Sequence, residues 1–194
     1  MKNVSMFGRA FLKIAAVVIC VLCVIVFLER GRSDARSGSL SGPHADMTRL
    51  ERKIHSLINK ERAKKGLPAL LWDEGLHSIA RRHSQDMEKR NFFSHDDPEG
   101  RSFPERYKDA FYKCRIRVGD TFCTGAENIS QFYLDNESLN KDGSAEEKIA
   151  EAVVKGWMNS KGHRGNILTP YFKRQGIGVA VSDDGRVFVT ENFC

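Results

Sequence analysis

The sequence predicts an α+β layered domain behind an N-terminal apolar segment. Apolar residues recur at helical spacing in three stretches: Met47 to about Gly66, Leu76 to about Arg90, and Ile149 to Trp157. The chain ends differently, with β-type runs Ile177–Val181 and Val187–Thr190 around Ser182-Asp183-Asp184-Gly185, a favourable hairpin turn. Helices first and strands last favour segregated layers over alternating βαβ units. A chain of 194 residues has room for a membrane segment, a linker and one domain of roughly 150 residues that buries its own core. The sequence contains no internal repeat and no phosphate loop.

The first 28 residues carry an apolar run, Ile14 to Leu28, preceded by Lys2, Arg9 and Lys13. Extended back to Phe7, with Lys13 snorkelling, residues 7–28 reach membrane-spanning length. Glu29-Arg30-Gly31-Arg32 follows, where a cleavage site requires small residues. Residues 1–28 therefore read as an uncleaved signal anchor, and cleavage would give a secreted form. Cys20 and Cys23 follow Ile19 and Leu22, which argues against a lipoprotein signal. Basic residues nearly balance across the segment, so the positive-inside rule does not orient it. Residues 29–46 are polar and rich in Gly, Ser and Arg, a flexible linker.

Three further cysteines, Cys114, Cys123 and Cys194, bear on the compartment. Cys114 with Cys123 closes the shortest loop and is the favoured pairing, with Cys194 to either as the rival. A bridge places the domain outside the cytoplasm; three reduced cysteines would place it inside. The formal charge of +6 invites a nucleic-acid reading. However, residues 47–194 carry 25 basic against 22 acidic side chains. That near balance excludes a basic nucleic-acid surface, and the domain reads as monomeric.

From Met47 the domain unfolds in order. Met47, Leu50, Ile54, Leu57 and Ile58 form one helix stripe that Gly66 and Pro68 end, with His55 at the edge of the stripe. Asp73 caps a second helix bearing Leu76, Ile79, Ala80, His83 and Met87. His83 reads as a hydrogen-bonded core residue, with a cleft position as the rival. Asn91 to Gly100 breaks the period and plants His95 near a packed surface. Its acidic residues lack the alternate-residue ladder of a calcium loop. Ser102 to Ala110 can form a short helix with Pro104 in its first turn. Leu134 to Gly143 is polar and looped. Ser144-Ala145-Glu146-Glu147 is a capping box for the third long helix, whose expected stripe is Ile149, Ala152, Val153, Gly156 and Trp157. Gly162 is expected to cap that helix, with His163 emerging just beyond it.

His95, Glu127 and His163 thus come from three separate loops or element ends, as in sites assembled on a rigid scaffold. Glu127 lies between small residues and an aliphatic one, the setting of a positioned acid. Two imidazoles and a carboxylate can bind zinc with one coordination position open. Ser160, His163 and Glu127 also supply the residue types of a hydrolase triad, without a nucleophile elbow. Trp157, Phe92 and Phe93 offer a third chemistry, an aromatic groove for lipid or peptide, although aromatics at helical positions more often pack a core.

Taken together, several motifs resemble the prokaryotic CAP domain, of the cysteine-rich secretory protein, antigen 5 and pathogenesis-related 1 superfamily, also called SCP-like. They are Leu71-Trp72-Asp73, His83-Ser84-x-Asp86-Met87, Phe92-Phe93-Ser94-His95, Gly125-Ala126-Glu127-Asn128-Ile129, Trp157-Met158-Asn159-Ser160-x-Gly162-His163-Arg164-x-Asn166-Ile167-Leu168 and Val189-Thr190-x-Asn192-Phe193. The resemblance spans about residues 48–194. It implies a three-layer α-β-α sandwich over residues 47–194, secreted or extracytoplasmic. Eukaryotic-type members carry two histidines and two glutamates around a large cleft, and some bind zinc or a similar cation there. By that resemblance His95 and His163 are the histidines and Glu127 one glutamate, while Ser160 occupies the second glutamate's position. Ala126 also stands where the motif has glycine. Lipid or sterol binding, signalling to other cells and disputed protease activity all occur in the family. The expectation is a membrane-tethered extracytoplasmic binding module for a lipid, peptide or cell-surface ligand, with a His/Glu cleft that takes a divalent metal. A metal-assisted or serine-type hydrolase is the alternative.

Overall fold

The structure, a computed structural model, describes residues 47–133 and 144–194. The expected anchor (1–28), linker (29–46), loop (134–143) and capping box at Ser144 fall outside the described residues or side chains. Among the described residues, no helix is long and apolar enough to cross a membrane.

In chain order the elements are α1 (Met47–Ala63), β1 (Leu71–Trp72), α2 (Glu74–Arg90), α3 (Phe103–Asp109), β2 (Ile116–Val118), β3 (Thr121–Cys123) and β4 (Ala126–Tyr133). Then follow α4 (Ser144–Asn159), α5 (Lys161–Ile167), β5 (Arg174–Val181) and β6 (Arg186–Phe193). A four-stranded sheet in the order β1-β5-β6-β4 forms the middle layer, with β1 parallel to β5 and the other pairs antiparallel. β2 and β3 make a separate hairpin. Helices α1 to α4 and the β5–β6 hairpin follow the sequence pattern. β4 does not: Glu127 reads in the sequence as a positioned acid, and its stretch is not expected to be a strand.

The two faces of β5 show why the layers form. Ile177 and Val179 join one core with Leu50, Ile54 and Ile58 of α1 and Val153 and Trp157 of α4. Each such fully buried aliphatic side chain contributes about 1.5–3 kcal/mol. The opposite face carries Gly176 and Gly178, and there α2 crosses so closely that a Cβ on Gly178 would lie 2.0 Å from Arg81 N. Only glycine permits that approach. Alternation along the strand thus separates an aliphatic face for one helical layer from a bare face for the other. β1 ends at Trp72, which leaves part of β5 without a strand neighbour. Side chains fill the gap: His77 Nδ1–H donates to Ile177 O (2.6 Å), and Val179 N–H donates to Glu51 (3.0 Å). Arg81 in turn pairs with the buried Glu51, so side chains cover part of that edge.

Three expectations need correction. The disulfide joins Cys114 to Cys194, and Cys123 is free. Loop length favoured Cys123, but β2–β3 pairing places Cys123 opposite Ile116, while the end of β6 returns Cys194 to Cys114. Next to the bridge, Gly125 has φ +89 and a Cβ there would lie 2.0 Å from Phe193 O. In α4 the buried stripe is Ile149, Ala150, Val153, Val154 and Trp157, while Ala152 and Gly156 face solvent. Finally, Gly162 caps nothing: α4 ends at Asn159, Ser160 is the N-cap of α5, and His163 lies in the first turn of that short helix.

Candidate functional site

His95 reaches the site through the turn that follows α2. Asn91 adopts the left-handed conformation (φ 54) that ends the helix, and its N–H bonds back to the last turn, a role suited to Asn. His83 of α2, fully buried, donates from Nε2 to Ser94 O (3.0 Å). Burial lowers the His83 pKa, which keeps it the neutral imidazole that a core position requires. The sequence reading of His83 as a hydrogen-bonded core residue therefore agrees with the structure. Its task is to fix the loop that presents His95.

Glu127 and Asn128 are adjacent on β4 and point to opposite faces. The Glu127 carboxylate is fully buried and is shared: His95 Nδ1 lies 3.0 Å from Oε1, and Arg106 Nη2 donates to Oε2 at 2.6 Å. Arg106 also donates to His95 O (2.8 Å) and Arg101 O (2.9 Å). Charge-assisted bonds of this kind are the stronger ones, so Arg106 locks both the backbone and the carboxylate partner of His95. On the other face Asn128 donates to His163 O (3.3 Å) and to the buried Glu191 (3.1 Å), and Asn166 donates to Asn128 Oδ1 (2.8 Å). Glu127 thus holds His95 and Arg106 while Asn128 ties α5 to the sheet. The Glu-Asn pair in the sequence holds two jobs on one pleat.

His163 packs its ring against Trp157 at a centroid distance of 6.5 Å. Trp157 is in turn fixed by its indole N–H to Ile129 O (3.1 Å). Burial, and secondarily the neighbouring His95, lower the His163 pKa. His95 and His163 therefore share a local environment, with His95 about half exposed. Among the described residues no hydrogen bond ends on His95 Nε2 or on the His163 ring. The structure brings His95 and Glu127 into direct contact and sets His163 beside them.

Among the described residues, no group of three or more His, Cys, Asp or Glu side chains is placed to hold a metal ion. Each oxygen of the Glu127 carboxylate already has a partner, a guanidinium on one and an imidazole on the other, so a cation there would meet the repulsion of the Arg106 charge. Ser160, at the position of the family's second glutamate, brings no carboxylate. Among the described residues no hydrogen bond joins its hydroxyl to the His163 ring. Arg106 is the functional residue that sequence reasoning missed. Nothing in the spacing marks it, because its partner lies 21 positions away on a strand. A separate groove of about 520 Å³ runs between α2 and α3; it shares His83 and Arg106 with this cluster but not His95, Glu127 or His163.

A helix-covered four-stranded sheet with a His95–Glu127 pair at its β4 edge is the arrangement of an SCP-type domain. The comparisons agree: the model of the cysteine-rich secretory protein family, CAP, matches residues 55–193, and the chain belongs to that family. It is 34% identical over 147 residues to the uncharacterized protein YkwD of Bacillus subtilis, which covers 76% of this chain and 49% of that protein. It is 32% identical over 146 residues to the uncharacterized membrane protein YlbC of the same organism, which covers 75% of this chain and 34% of that protein. Among solved structures it is similar to an extracellular SCP-domain protein of Bacillus anthracis, with 31% identity and a TM-score of 0.55, over 79% of this chain and 44% of that one. An outer surface protein of Borrelia burgdorferi shares the fold at 16% identity and a TM-score of 0.59, over 77% and 94%. The chain spans half or less of the length of the two Bacillus subtilis relatives.

Proposed function

We propose that this CAP domain stands outside the cytoplasm on a membrane anchor formed by residues 7–28 and binds a lipid, peptide or cell-surface ligand at the His95–Glu127–His163 cleft. The observation that carries the binding reading is the lock on Glu127. A carboxylate held by both Arg106 and His95 is committed to positioning those two side chains through charge-assisted bonds. The same lock holds His95 in place, and among the described residues no hydrogen bond ends on His95 Nε2 or on the His163 ring, which packs on Trp157. That is how a preorganised recognition surface is built. The Cys114–Cys194 bridge supports an oxidising compartment, and one relative is named a membrane protein.

The test is retention of ligand by the full chain, with lipids, peptides and cell-surface extracts as probes and His95→Ala and His163→Ala as controls. Loss of a retained ligand in both variants is expected. Equal retention by both variants would defeat the cleft, and turnover of peptide or ester panels that these variants abolish would establish an enzyme instead. Protease protection of the domain inside sealed right-side-out vesicles would overturn the location. Zinc at the cleft has a structural cost, the displacement of Arg106 from Glu127. Calorimetric titration should accordingly show tighter zinc uptake by Arg106→Met than by wild type, and identical uptake would mean that Arg106 does not gate the site.

A further inference from the structure

Phe111 combines two features that a structural residue does not need. Its side chain is 93% exposed, and its backbone lies in the left-handed region at φ 54. It occupies the position just past the end of α3 at which glycine is usual. The chain reversal there is complete: Phe111 N–H donates to Lys108 O (2.9 Å), Tyr112 N–H donates to Tyr107 O (2.8 Å), and the Tyr107 and Tyr112 rings meet edge to face at 5.5 Å. A phenylalanine at such a position strains the backbone and gains no burial in return.

The segment beyond it repeats the theme. Lys113, Arg115 and Arg117 are exposed, whereas Cys114 and Ile116 between them turn inward, Cys114 through its bond to Cys194. Phe122, 53% exposed, stands opposite Arg117 in the β2–β3 hairpin, and the Arg115 guanidinium lies 3.8 Å above its ring. Three outward cations and two exposed aromatic rings therefore sit on a ribbon stapled to the core by a disulfide. Asp120, the acidic residue within the ribbon, pairs with Arg117 at 3.7 Å.

We infer that the ribbon of Phe111, Lys113, Arg115, Arg117 and Phe122 is a docking surface for an anionic lipid bilayer. Exposed aromatic rings partition to the membrane interface and basic side chains are drawn to anionic headgroups; a hydrophobic protein partner would not select three cations in a row. The inference rests on the anchoring reading. Under it a linker of roughly eighteen residues reaches at most about 60 Å, which keeps the domain beside a bilayer, where a weak surface contact becomes effectively intramolecular.

The experiment uses the full chain in nanodiscs of phosphatidylcholine alone or with phosphatidylglycerol, and in detergent with or without polyphosphate, read by amide hydrogen exchange. Failure of the chain to enter nanodiscs would defeat the anchor and, with it, the inference. For inserted chain, slower exchange across residues 111–122 only in anionic discs is expected. Replacing Lys113, Arg115 and Arg117 with Gln should weaken that contact about fivefold per charge. Phe111→Gly should lose the protection and yet raise the thermal midpoint in detergent by about 3 °C, because backbone strain is relieved and no buried contact is lost. Equal exchange in both disc types overturns the inference, as does a fall in the midpoint of Phe111→Gly. Protection by polyphosphate that survives Phe111→Gly would also overturn it, because the surface would then read soluble polyanions rather than a bilayer.

Discussion

Replacing Arg106 with Met tests the lock on the cleft most directly. The guanidinium side chain is 11% exposed and the Glu127 carboxylate 0%, with 2.6 Å between Nη2 and Oε2. Removing one partner of such a pair leaves a buried charge, which costs about 3–5 kcal/mol. His95 Nδ1 remains 3.0 Å from the other oxygen, so the lower end applies, about 3 kcal/mol. For a domain of this size that corresponds to a fall of roughly 6–12 °C in the thermal midpoint. Urea unfolding of wild type, Arg106→Met, Glu127→Gln and the double variant closes a double-mutant cycle. The double variant should recover at least about 1 kcal/mol relative to additivity, because no unpaired charge is left. A single-variant loss under about 0.5 kcal/mol, or strict additivity, would refute the account of Glu127 as a locked carboxylate.

Other consequences follow from the same structure. The Cys114–Cys194 bridge spans 80 positions, so paired serine replacements should cost about 4 kcal/mol through released chain entropy; melting curves that coincide with and without reductant would contradict this. Gly178→Ala drives a Cβ to 2.0 Å from Arg81 N and should cost about 3 kcal/mol or more. By contrast, Gly156→Ala on the exposed side of α4, with nothing within 4 Å, should stabilise by up to about 1 kcal/mol; equal effects would show that α2 does not press on β5. Burial raises the Glu191 carboxyl well above its usual value of 4.5, against the Asn128 bond and the Arg62 charge. The folded chain then holds a proton that the unfolded chain releases above that value. Stability from this group is accordingly present at low pH and lost as pH rises towards the raised folded value. The gain from Glu191→Gln over wild type should therefore grow between pH 4 and 8, and a pH-independent difference would disprove the assignment.

The chain's own pattern determined the helices α1, α2 and α4, the Asp73 cap, whose carboxylate accepts Leu76 N–H at 3.0 Å, and the terminal hairpin. These elements depend on periodicity, capping and turn chemistry within a few residues, all of which are local. The motif order also pointed to the family, and it singled out His95 and Glu127, which lie in contact. Tertiary structure decided what joins distant positions. It paired Cys114 with Cys194 rather than Cys123, made β4 out of a stretch not expected to be a strand, and moved Ser160 from a helix end to the start of α5. Most consequentially, it brought Arg106 to Glu127. A guanidinium on one short helix and a carboxylate on an edge strand carry no mutual signature in sequence. Only when β4 pairs with β6 and α3 settles beside it do the two charges meet, and their pairing holds the Glu127 carboxylate between a guanidinium and an imidazole.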